Sequence, residues 1–259
     1  MIEHGHELSP CVFNLHVGYS ASKVSFVNLF GGWRSGMVTD RARSAVTTTV
    51  RSAPPDLCLT FANTRFWRGT ETPTEELTVP NDLLKWGAAN AGFDAQTQRR
   101  FAASWATDPG AGAAVFRNAI ALREALYRSF AATAEGSAIG SSDLRFINRS
   151  LARHPKRTEL RRGAAGVGWA IAGAADLELL LAPVLWSAGD LLTGPRLSRV
   201  RCCANDQCRW LFLDDSKSGN RRWCAMSACG NRAKAHRHYA KLKAARLAAS
   251  RPAACAAHS

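Results

Sequence analysis

From Ala111 to about Ala134, apolar residues recur at Val115, Ala119, Leu122, Leu126 and Phe130. The steps of four, three, four and four trace one face of a long amphipathic helix. Around it the pattern changes several times. Asp56-Leu-Cys-Leu-Thr-Phe-Ala-Asn63 alternates in the manner of a strand. Pro80 or Asn81 opens a helix that closes near Gly92, and residues 94–105 read as a second, shorter one. Ser141-Ser142-Asp143 offers caps for a helix running to about His154, with Pro155 to stop it. Residues 157–172 read as a hairpin, Thr158–Arg162 against Val167–Ile171 across a glycine-containing turn. Ala174–Leu192 is a buried helix, bent at Pro183. Gly194-Pro195 marks a boundary.

The prediction is an α+β fold: a mostly helical domain with a few strands, then a small cysteine-rich module. Its periodic apolar residues, Trp86, Trp105, Trp169 and Trp186 among them, are core. No phosphate loop, carboxylate pair or nucleophile elbow occurs in residues 56–195, so no catalytic residue is assigned and an enzyme is not expected. Residues 1–50 show no sustained period, and Met37 is a second candidate start; a mass spectrum of the native protein would decide it. The most apolar stretch, Leu177–Leu192, carries Glu178 and Asp190 and is too short and too charged to span a membrane. The N-terminal residues lack a signal peptide's basic and apolar regions, so the expected compartment is the cytoplasm.

Charge separates the two parts. The chain has 259 residues and a net charge of +14. Residues 1–195 are close to neutral, whereas residues 196–259 hold 14 basic and 3 acidic side chains, with no acid from Ser216 onward. That balance calls for an anionic partner.

Within that segment, five of the eight cysteines lie in the 28 residues from Cys202 to Cys229. Cys203-x4-Cys208 and Cys224-x4-Cys229 form two close pairs separated by x15. Two turns each supplying two thiolates, with an insert long enough to fold back, suit one tetrahedral structural zinc. Four thiolates leave no open position for catalysis. Cys202 competes with Cys203 for the first place; Cys203 is preferred because it makes the two spacers equal. Two disulfides or a redox switch would also use these residues, the first disfavoured in a reducing compartment. Cys11, Cys58 and Cys255 read as ordinary thiols. Trp210–Leu213 reads as a strand, Ser216–Asn220 as a turn and Asn231–Arg246 as a helix. Along that helix Arg232, His236, Tyr239 and Lys243 share a face, with Lys234, Arg237 and Lys241 beside it. Of these, Arg232, Lys234, Arg237, Lys241 and Lys243, together with Arg221 and Arg222 before the second pair, are the candidate nucleic-acid contacts. Arg232 or Arg237 would read guanine edges if the helix entered a major groove. Arg221 and Arg222 could instead balance the thiolate charge or pair with Asp214.

The segment from Cys203 to Arg246 closely resembles the CGNR-type zinc finger, through Cys229-Gly-Asn-Arg232, Phe212-Leu-Asp-Asp-Ser216 and Arg221-Arg-Trp-Cys224. In that family the finger follows a domain called ABATE. Asp56–Thr64 and the later Leu83-Leu-Lys-Trp86 look like its beginning. The resemblance implies a leader over residues 1–54, poorly ordered or over-extended. An ABATE-like domain follows at 55–195, then a treble-clef finger with a basic helix at 196–250 and a tail at 251–259. The family is regarded as one of stress-related transcription regulators. The function it implies is a zinc-dependent DNA-binding regulator, with residues 55–195 sensing a small-molecule effector or partner and a homodimer supplying further contacts. An RNA-binding protein and a zinc-stabilised protein-interaction module are the alternatives. On this reading zinc supplies most of the finger's folding free energy, and a Cys208→Ala variant would unfold the finger and leave residues 55–195 folded.

Overall fold

The computed structural model describes residues 48–50, 54–157, 159–163, 166–171 and 177–249, all within one compact unit. The candidate start at Met37, Cys11, Cys255 and the tail lie outside the described residues. So does Thr158, and so do residues 174–176 of the apolar helix.

A short strand β1 (Thr48–Val50) leads into α1 (Leu57–Ala62). The predicted strand at 56–63 is therefore a helix. Leu57, Cys58, Leu59, Phe61 and Ala62 are all buried, because α1 sits inside the molecule with neighbours on nearly every side. A short run apolar on every face reads alike at periods of 2 and 3.6. The two-residue strands β2 (Arg65–Phe66) and β3 (Thr74–Glu75) pair antiparallel beyond it.

The next helices fall close to their predicted places: α2 (Pro80–Asn90), α3 (Ala95–Thr107), α4 (Pro109–Ala134) and α5 (Ser141–Arg153). Asp94 and Asp108 cap α3 and α4 by accepting from Thr97 N–H and Ala111 N–H. Gly112 lets α4 press on the Trp105 indole; a Cβ there would lie 2.3 Å from its ring nitrogen. The predicted α4 stripe is buried, and so are Arg123, Ala125, Tyr127 and Ser129, since α4 has packed elements on more than one side. The serine cap expected for α5 does not form. Gly140 takes the cap position, and the Asp143 carboxylate instead receives the Arg128 guanidinium of α4.

Strands β4 (Leu160–Gly163) and β5 (Gly166–Ile171) form the expected hairpin, and β1 extends it to an antiparallel sheet in the order β1-β5-β4. Val50 is fully buried, so folded structure reaches upstream of residue 55. A 3₁₀ turn (Leu177–Leu181) precedes α6 (Ala182–Thr193). Pro183 starts this helix rather than bending it, as its missing N–H allows at the first turn.

The last part comprises a 3₁₀ turn (Pro195–Arg199), β6 (Val200–Cys202), β7 (Leu211–Leu213), a wide turn (Met226–Gly230) and α7 (Asn231–Ala249). Strands β6 and β7 pair antiparallel, Cys202 opposite Leu211. Val200, Leu211 and Leu213 join the same core as α1 and α4. Among the described residues, no helix is long and apolar enough to cross a membrane.

Candidate metal centre and its basic helix

Strand β7 lies between two cores. Leu211 and Leu213 face the main one; Phe212 faces a small cluster with Cys203, Cys208 and Cys229, as period-2 alternation requires. The same alternation separates Cys202 from Cys203. Cys202 is half-buried against the main core, while Cys203 turns to the cluster.

The first cysteine pair is held by its own backbone. Cys203 N–H donates to the Trp210 carbonyl at 2.8 Å, and Cys208 N–H to the Asn205 carbonyl at 2.8 Å. The Asn205 side chain accepts from Gln207 N–H and donates toward the Cys229 sulfur at 3.6 Å. Arg209 adopts left-handed backbone (φ 51°) to leave the turn. The loop to the second pair closes on Asp214, which is buried. Its carboxylate accepts from the Ser216 hydroxyl and N–H and from Arg221 N–H. Those bonds, the Ser216 hydroxyl foremost, hold its carboxyl below the usual aspartate value. Asp214 thus binds the Arg221 backbone rather than pairing with either guanidinium. Ala204 N–H donates to the Arg222 carbonyl at 2.8 Å, tying the two turns together.

The four thiols converge. The sulfurs of Cys203, Cys208, Cys224 and Cys229 all lie within 4.8 Å of one another. Cys208 to Cys224 and Cys224 to Cys229 each measure 3.8 Å. Zinc–sulfur bonds of about 2.3 Å toward the corners of a tetrahedron put the sulfurs about 3.8 Å apart. A disulfide needs about 2.05 Å, and these cysteines are free. The donor set, its spacing and its burial therefore fit one structural zinc. The thiols also share protons. A hydrogen bond with Cys224 pulls the Cys208 thiol well below its ordinary value and raises Cys224, while burial raises Cys229. Binding a metal would release the remaining protons.

The candidate nucleic-acid residues divide. Arg221 is exposed but folds back on its own loop: its guanidinium donates to the Trp223 and Cys224 carbonyls and lies 4.7 Å from the Phe212 ring centre. Arg222 rests over Trp223 and Arg232 over Trp67. Lys234, Arg237, Lys241 and Lys243 are exposed along α7, and none enters an ion pair among the described residues. Tyr239 and Leu242 are exposed as well. The His236 side chain lies outside those described. The turn Met226–Gly230 is the element that α7 packs against.

Sequence reasoning missed what anchors this module. The Asn63 amide acts as a strand partner for β7, donating to the Leu211 carbonyl (2.8 Å) and accepting from Leu211 N–H (3.0 Å). The Tyr127 hydroxyl donates to the Arg209 carbonyl at 2.9 Å, and the Arg209 guanidinium binds Glu135 at 2.7 Å. Gly69 N–H donates to the Gln207 carbonyl, in a contact so close that a Cβ on Gly69 would lie 1.7 Å from the Asp206 carbonyl oxygen. Behind these contacts, Arg123 is buried with Glu75 and Glu124, and Arg68 binds Glu124 while covering the Tyr127 ring. Pairs this far apart in the sequence leave no local signature. The finger is thus bolted to the helical domain, against the independence expected of it.

A family model described as "Putative stress-induced transcription regulator", ABATE, matches residues 55–195, more than half of the chain. A second, the CGNR zinc finger, matches residues 199–241. No curated protein matches the chain.

Proposed function

The chain belongs to the ABATE family, and on that premise we propose that it is a zinc-dependent DNA-binding transcription regulator. Residues 55–195 form the regulatory domain and 196–250 a treble-clef finger. Cys203, Cys208, Cys224 and Cys229 hold the metal. Bound zinc supplies a covalent cross-link between the two turns, and most of the local folding free energy with it. The chain's own residues do the rest: Asn205 and Arg221 fix the turns, and the wide turn at Met226–Gly230 launches α7.

The observation that carries the reading is α7 itself. It is exposed, rich in Lys and Arg, free of acidic residues, and has no ion pairs among its described side chains. Unpaired cations along one rod are suited to DNA phosphates, where their binding releases condensed counterions. Lys234, Lys241 and Lys243 serve as phosphate contacts, and Arg222, Arg232 and Arg237 lie nearer the finger. Arg221 drops out as a contact, since its guanidinium is committed to the zinc turn. Residues 55–195 respond to an effector or partner, and pairing of two chains doubles the contacts. The test is duplex-DNA affinity of the full chain with Lys241→Gln/Lys243→Gln. All sequences should weaken alike, and the slope of log K against log salt should become shallower by about 2. An unchanged slope overturns α7 as the contact.

A further inference from the structure

A groove of about 570 Å³ opens beside the metal centre, between the first cysteine turn, Trp223 and the root of α7. That is the size of a small-molecule site. Three guanidiniums line it, Arg222 from the loop and Arg232 and Arg237 from α7. Two of them are held over indole rings, Arg222 on Trp223 at 5.4 Å and Arg232 on Trp67 at 4.7 Å. Among the described residues, no carboxylate lies within ion-pair distance of any of the three. Asn205 donates toward the Cys229 sulfur and Arg221 to the turn carbonyls, whereas none of these three donates to a cysteine sulfur among the described residues. Asp206 and Gln207, both exposed, also line the groove, and the Asp206 carboxylate has no partner among the described residues.

An aromatic surface, a set of free guanidiniums and a lone carboxylate, all in one groove, match the parts of a nucleotide. Guanidiniums take phosphate oxygens in bidentate pairs. The indole offers a stacking face, which binds any base. The carboxylate accepts from two adjacent N–H donors, and guanine alone among the bases presents such a pair, N1–H and N2–H, on its Watson–Crick edge. In a duplex that edge is occupied by cytosine. We propose that the groove binds one unpaired guanine nucleotide, with its phosphate at Arg232 and Arg237, its ring against Trp223 and its Watson–Crick edge at Asp206. The nucleotide is either free or part of a single strand, and this site is separate from the duplex contacts assigned to α7.

Calorimetric titration of the zinc-loaded full chain with guanosine 5′-monophosphate tests this. Binding should saturate at one per chain, with adenosine 5′-monophosphate and inorganic phosphate each about tenfold weaker or more. Arg237→Gln, at an exposed helix position, should weaken the guanosine nucleotide about tenfold, and Asp206→Asn should abolish its advantage over the adenosine nucleotide, both with unchanged zinc content. A seven-residue single strand of thymidines around one guanine separates the sources. Tighter binding than the mononucleotide assigns the site to a strand, and weaker binding to a free nucleotide. Absence of saturable binding, equal affinity for the two nucleotides, or indifference to both substitutions overturns the proposal. The two readings fail separately: a chain that binds the nucleotide but no duplex keeps the groove and loses the regulator function, and the converse result reverses this.

Discussion

Replacing Asn63 with Ala should destabilise the zinc finger and the helical domain together. The Asn63 amide is 3% exposed and makes both hydrogen bonds to the Leu211 backbone, at 2.8 and 3.0 Å; Leu211 is 1% exposed. Truncation removes two buried bonds and leaves a buried N–H and a buried C=O unpaired. At about 1–3 kcal/mol for each orphaned group, less whatever water recovers, the loss should be about 2–4 kcal/mol. Because Leu211 and Leu213 belong to the main core, the loss should appear as one shifted urea transition of the zinc-loaded chain, with tryptophan fluorescence and far-UV dichroism moving together. Zinc release to a chelator should also quicken, since Cys203 and Cys208 lie on the turn that leads into the strand Asn63 holds. A loss below about 0.5 kcal/mol, the size of a surface substitution, would refute the coupling.

Three further outcomes are expected. Cys203→Ser should lose the bound zinc while Cys202→Ser retains one per chain, measured by metal analysis after gel filtration; the opposite pair of results would move the first ligand to Cys202. Gly112→Ala should cost about 1–3 kcal/mol in urea unfolding, because the new methyl meets the Trp105 ring; no loss would mean the indole moves aside freely. Burial works to raise the Glu124 carboxyl, but the Arg68 hydrogen bond and charge outweigh it and hold it below its ordinary value of 4.5. The pair's contribution is therefore complete above that value and lost as pH falls through the lower folded value. Arg68→Met should flatten the fall in stability below pH 4.5, and an unchanged acid limb would remove the pair from the account.

The parts legible in advance were those written in local periodicity or spacing. The α4 stripe, the two equal cysteine spacers and the acid-free run of α7 each sit within one stretch of chain. The α1 helix was misread because it is buried all round, which erases the difference between periods. The third strand of the sheet pairs β1 with β5, more than a hundred residues away, and neither sequence announces the other. Arg221 and Arg232 look alike in the sequence; only the folded structure shows that one donates to the carbonyls of the zinc turn and the other rests over Trp67 beside the groove. Asn63, Tyr127 and Gly69 carried no signal of their own, because their roles exist only where the finger meets the helical domain.

Because the finger shares a core with residues 55–195, the measurement that bears most directly on the regulator reading uses the whole chain. Fluorescence anisotropy of a labelled DNA duplex is followed across a salt series, with the protein zinc-loaded and after chelation. The account predicts binding that requires zinc, with log K falling linearly in log salt at a slope of about −3 for contacts from Lys234, Lys241 and Lys243. Binding that survives chelation unchanged, or no binding even at low salt, would contradict it.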